Sequence, residues 1–162
     1  MISRIRYIAY ILFIFSIAMW LGSGVYHTIQ TTATWYKDPH AYVGQLINHP
    51  LPGEINPFPV LAVFTAFTAI LALILHIKYK GSGKFEVLVS VYGTILIILI
   101  TAVYFVPALE KILSYPPVYS ASELSAKSHE WIILNFIRIL VTISVFISGL
   151  AGLSKFRTGS SS

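Results

Sequence analysis

Charge is what this 162-residue chain has least of: only 10% of its residues are charged, and it contains no cysteine. Soluble domains typically carry about 25% charged residues, so an ordinary water-soluble domain is excluded and a bilayer becomes the expected solvent. The lack of cysteine excludes a disulfide-stapled exterior. It also excludes the thiol chemistry by which some four-helix membrane proteins exchange disulfides with quinones. No acidic residue lies deep in an apolar run, which argues against an ion pair within the membrane. There is no His-x-x-x-His or Glu-x-x-His spacing, so no metal is expected. A glycine-rich phosphate loop, a Ser/His/Asp set and an internal repeat are missing as well, and no cofactor is expected. The formal charge of +5 is not gathered in a tract, so nucleic acid is not an expected partner.

What the chain has in abundance is apolar length, with 56% hydrophobic residues. A membrane-crossing helix needs about 20 mostly apolar residues. Four runs qualify, at 7–36, 58–77, 87–109 and 131–153. The fold class that follows is all-α: an integral membrane, antiparallel four-helix bundle, one domain over 1–158 with spans at about 7–33, 58–79, 85–109 and 128–153. The first run follows Arg4 and Arg6 but is too long for a signal-peptide core and lacks a small-residue cleavage site, so it reads as a span. Gly159-Ser160-Ser161-Ser162 reads as a cloning remnant outside the fold. With the N-terminus inside, the cytoplasmic segments hold Arg4, Arg6, Lys78, Lys80, Lys84, Lys155 and Arg157, against Lys37, Lys111 and Lys127 outside. The positive-inside rule then puts both termini in the cytoplasm.

Local signals shape the connections. Lys78 to Lys84, with Gly81-Ser82-Gly83, predicts a tight basic hairpin on the cytoplasmic side. Asp38-Pro39 predicts a helix start, Asp capping and Pro in the first turn, for a short helix over 39–48. Asn56-Pro57 repeats the pattern before the second span. Ser120 with Glu123 fits a capping box, so the fourth helix is expected to begin ahead of the membrane. Trp35, Tyr36, Tyr42, Tyr115, Tyr119 and Trp131 suit an interfacial aromatic belt. Small residues at spacings of four, such as Ala18 and Gly22 or Ser148 and Gly152, predict close helix packing.

The candidate functional residues lie on polar seams inside the spans. Trp131, Asn135, Arg138 and Thr142 share one helix face. Arg138 sits seven residues past Trp131, roughly 10 Å below the outer interface at 1.5 Å per residue. A charge near the centre of a span costs about 2.5–3.5 kcal/mol on insertion scales and usually faces a protein interior or wet cavity. Arg138 therefore reads either as an anchor satisfied by helix-end carbonyls or lipid phosphate, or as a pocket cation for an anionic or enolate-like oxygen. Glu130 is the one acid placed to reach down to it. His27, Gln30, Tyr104 and Asn135 occupy comparable depth in the outer half, where an outward-opening pocket would be. His27 is the only candidate base there. Arg138 and Asn135 suit the role of donors to a developing oxyanion. Trp20, Tyr104 and Trp131 would wall a flat ring. Thr65, Thr68, Ser90, Thr94 and Thr101 more often satisfy their own helix backbone.

Gly22-Ser23-Gly24-Val25-Tyr26 followed by Trp35, then Tyr104-Phe105-Val106-Pro107, then Trp131 with Asn135 and Arg138, resemble the small four-span anthrone-oxygenase-like family. The resemblance covers nearly the whole chain, with the Trp-x-x-x-Asn-x-x-Arg pattern as its most specific part. It implies a four-helix protein of a bacterial inner membrane. For some members it implies oxidation of anthrones to anthraquinones without metal or flavin. On this basis Tyr26 joins Tyr104 and Trp131 as a ligand-binding candidate. Membrane lipids and a small lipophilic molecule are the expected partners. A non-catalytic lipid-binding or accessory protein is the main alternative, and a homo-oligomeric transporter or channel a further one.

Overall fold

The computed structural model describes residues 2–35, 38–41, 57–78, 81–114 and 118–158. Helix α1 spans Ile2–Trp35, α2 Pro57–His76, α3 Lys84–Ile100, α4 Val106–Ile112 and α5 Ala121–Thr158. A π turn at Thr101–Phe105 joins α3 to α4 into one continuous third span. All four spans are long and apolar enough to cross a membrane. At 38 residues, α5 is about 57 Å long at 1.5 Å per residue, well beyond the roughly 30 Å of bilayer hydrocarbon. Its early start is set by Glu123, whose carboxylate accepts the Ser120 backbone N–H at 2.9 Å and the Ser120 hydroxyl at 2.6 Å. Asp38 caps in the expected way, accepting the Ala41 N–H at 3.0 Å, while residues 42–48 of the anticipated short helix lie outside the described residues.

The spans pack as a ring in which each touches the next and α5 closes against α1. Contacts between opposite ends of the sequence make neighbours antiparallel. Tyr10 donates to the Gly149 carbonyl at 2.9 Å, the Tyr10 and His76 rings lie 5.3 Å apart, and Ser148 donates to the Glu86 carbonyl at 3.2 Å. Both chain termini and the α2–α3 turn therefore share one end. At that turn Gly83 adopts φ 82, and a Cβ there would stand 2.9 Å from the Gly152 carbonyl oxygen, so both conformation and space require glycine. Lys84 closes the α2 end by donating to the Ile77 carbonyl at 3.0 Å, and Lys155 pairs with Glu86.

Three buried layers fill the ring. At the terminal end Tyr10, Phe13, Ile17, Ala69, Ala72, Val87 and Val91 pack together. Trp20, Ile97 and Val145 form a middle layer, and Trp35, Phe105, Ile112, Leu124, Trp131 and Ile132 an aromatic one at the far end. Ser16 and Thr68 hydroxyls meet at 2.8 Å between α1 and α2, and Thr68 also bonds its own helix backbone. Outward faces stay apolar, with Phe15, Val63, Phe67, Ile74, Val103 and Leu140 exposed. Such continuous apolar faces suit lipid rather than water.

The small-residue expectation holds for one part of the chain only. A Cβ on Gly152 would meet the Tyr10 hydroxyl at 2.9 Å and the Val87 backbone nitrogen at 3.2 Å. Around Gly22 and Gly24 a Cβ would meet nothing within 4 Å, so these glycines are not packing contacts.

Candidate functional site

The far-end half of the bundle is organised by the π turn. Pro107 has no N–H to give, and its ring crowds the carbonyl one turn back. The chain accommodates it by widening: the Val106 N–H reaches five residues back to the Thr101 carbonyl. Single π turns within α-helices are frequent at functional sites. Here the wide turn carries the inward face from Ile97 through Thr101 to Phe105, which is buried, and leaves Tyr104 39% exposed.

Helix α5 grips this turn at both ends. Trp131 Nε1 donates to the Phe105 carbonyl at 3.3 Å. Arg138 Nη1 donates to the Thr101 hydroxyl at 3.3 Å, and that hydroxyl donates onward to the Ile97 carbonyl at 2.7 Å. The Arg138 guanidinium also lies 4.7 Å over the Phe105 ring. Glu130 does not reach down to Arg138. It accepts the Tyr104 hydroxyl at 3.0 Å and pairs with Lys127 at 2.7 Å. Among the described residues Arg138 thus has one hydrogen-bond partner, one aromatic face and no carboxylate.

That arrangement leaves most of the guanidinium's hydrogen-bonding capacity unused. A hydrogen bond to a charged group contributes about 1.5–3 kcal/mol and a cation–π contact about 0.5–2 kcal/mol, together comparable to the roughly 2.5–3.5 kcal/mol cost of the buried charge. The guanidinium carries five N–H donors in a planar fork, and Thr101 takes one. The rest of its surroundings form an apolar groove of about 350 Å³ between the third and fourth spans, lined by Ile97, Ile100, Tyr104, Leu134, Ile137 and Val141 with Phe105. Ile100, Ile137 and Val141 are exposed, so the groove opens on the bundle's outer face.

Asn135 faces the opposite way. Its Nδ2 donates to the Thr28 hydroxyl on α1, which donates to the Gly24 carbonyl at 2.8 Å. His27, beside it, sets its ring edge-on to Trp131 at 5.9 Å and lies within electrostatic reach of Arg138. Trp131 also meets Trp35 at 5.5 Å and Phe105 at 6.2 Å.

Of the anticipated site residues, Trp131, Asn135, Arg138 and His27 come together around this aromatic layer. Tyr104 stands on the groove wall rather than in the interior seam expected of it. Trp20 is buried one layer deeper, against Ile97 and Val145. Tyr26 is 70% exposed on the outer surface of α1, away from the cluster. The Gln30 side chain lies outside the described residues. Thr28 joins this cluster without having been singled out from the sequence, and Thr101 adds a contact to Arg138 to the backbone bond expected of it. Phe105 takes the inward position in place of Tyr104, and Pro107 was the one visible sign of the wide turn. No family model, curated protein or solved structure matches this chain.

Proposed function

We propose that this chain is a multi-pass membrane protein with cytoplasmic termini that takes a small lipophilic molecule, of aromatic or quinone-like type, into the groove between its third and fourth spans. The observation that carries the reading is Arg138, a cation with donors to spare in an otherwise apolar groove. A carbonyl or enolate oxygen would accept those donors, and Phe105, Tyr104 and Ile137 would flank a flat ring. Hydrogen bonds to a charged group contribute about 1.5–3 kcal/mol, or roughly 10- to 100-fold in affinity. The test is quenching of tryptophan fluorescence by a hydroxynaphthoquinone, for wild type and Arg138→Leu. Saturable quenching that weakens at least about tenfold in the variant supports the reading. Equal quenching in both proteins contradicts it.

A second reading, cofactor-free oxidation as in anthrone oxygenases, draws on His27, a base on the same aromatic layer as Arg138. An anthrone would lose a ring proton to His27, and the enolate, its oxygen held by Arg138, would reduce dioxygen. The resulting hydroperoxide eliminates water to leave the anthraquinone, so one dioxygen is consumed per water released. His27 is not among the groove-lining residues, which makes binding the better supported reading. If this oxidation occurs, His27→Ala abolishes dioxygen uptake with anthrone and preserves hydroxynaphthoquinone quenching. Uptake that persists in the variant removes His27 as the base.

A further inference from the structure

A second groove, of about 250 Å³, lies directly beyond the first toward the far end of the bundle. Its walls include Lys111 at the end of α4, Tyr119 ahead of α5, Lys127, Glu130 and Trp131. Tyr104 lines both grooves, so the two adjoin at a single side chain. Their chemistry differs sharply: the Arg138 groove is apolar apart from its one cation, and the outer groove is rich in charge. The charges do not cancel. The Glu130 carboxylate is already engaged by Lys127 at 2.7 Å and by the Tyr104 hydroxyl at 3.0 Å. Lys111 is exposed and has no carboxylate partner among the described residues. Among the lining residues one net positive charge therefore remains. Along α5, eleven residues separate Lys127 from Arg138, about 16 Å at 1.5 Å per residue.

We infer that the two grooves hold one molecule: an elongated amphiphile whose anionic group sits at Lys111 and Lys127 and whose apolar body passes Tyr104 to place an oxygen at Arg138. This rests on the reading of Arg138 given above and adds the class of the ligand, a carboxylate- or phosphate-bearing lipophile rather than a neutral one. Lys111 is the principal seat of the anion, because Lys127 is shared with Glu130. Tyr104, held by Glu130, is the side chain the body must pass.

The probe is a radiolabelled mid-chain hydroxystearate, which carries a carboxylate at one end and a hydroxyl well along its chain. Stearate, the hydroxystearate methyl ester and inorganic phosphate serve as comparisons, all against the full chain in detergent. Paired Lys111→Gln and Lys127→Gln substitutions should weaken hydroxystearate about tenfold, one lost charge-assisted contact, and leave the methyl ester unchanged. Arg138→Leu should weaken both hydroxylated ligands and spare stearate. If the lysine variant binds acid and ester as wild type does, the anion seat is wrong and the Arg138 groove stands alone. Should Arg138→Leu bind hydroxystearate as tightly as wild type, the groove reading itself fails, whatever the lysines do. Displacement of hydroxystearate by inorganic phosphate would reveal a surface anion site without an attached body, and would overturn the inference.

Discussion

Asn135 in the fourth span donates its amide to the hydroxyl of Thr28 in the first, and Thr28 passes its own proton to the Gly24 carbonyl at 2.8 Å. Because that proton is committed, Thr28 can only accept, which fixes which end of the Asn135 amide faces it. The Oδ1 atom is then buried with no hydrogen-bond partner among the described residues. Thr28→Val strands the whole carboxamide and should destabilise by about 1–3 kcal/mol. Adding Asn135→Leu removes the stranded group and should restore most of the loss. Unfolding of the single and double variants in detergent should give a coupling of about 1–3 kcal/mol, the size of the restored loss. Strictly additive effects would mean that the two side chains do not interact.

The glycines divide into two kinds with opposite expected behaviour. Gly152→Ala pushes a methyl group to 2.9 Å from the Tyr10 hydroxyl and 3.1 Å from Val87 Cγ2. Overpacking of this sort costs about 1–3 kcal/mol. Gly22→Ala meets nothing within 4 Å, and alanine is favoured over glycine in a helix by about 0.8–1 kcal/mol. Thermal unfolding should therefore drop for Gly152→Ala and hold or rise for Gly22→Ala. The reverse order would contradict the packing of α1 on α5.

How much of this was legible in the chain follows from what each residue depends on. The spans follow from apolar length, and the caps at Asp38 and Ser120 from side chains that reach only three residues. Arg138 and Asn135 were legible because a helix keeps its period, so the stripe from Trp131 to Thr142 stays on the side of α5 that meets its two neighbours, Asn135 toward α1 and Arg138 toward the third span. Phe105 was hidden because a widened turn ahead of Pro107 changes the period, and the inward position passes from Tyr104 to its neighbour. Tyr26 and Trp20 lie apart from the cluster for a different reason. Periodicity relates residues within one helix, but it does not set a helix's rotation or its depth relative to the others. Thr28 is silent for the same reason: only its juxtaposition with Asn135 distinguishes it from other span hydroxyls.

Orientation gives a prediction independent of the groove. Seven basic residues flank the end that carries the termini, against three at the other, and positive flanks stay in the cytoplasm. A C-terminal green fluorescent protein fusion should fluoresce, and alkaline phosphatase inserted within 115–117 should be active. Inverting both results would place the Arg138 groove in the inner leaflet and reverse the side from which a ligand enters.

The most direct measurement of the central claim is native mass spectrometry of the full chain released from detergent, wild type beside Arg138→Leu, with an absorbance scan of the same samples. A lipophilic molecule that co-purifies with wild type and is missing from the variant, with both proteins equally stable, is the predicted result. Identical bare masses for the two, or the same adduct on both, would contradict a ligand held by Arg138 and leave the guanidinium as an anchor to lipid.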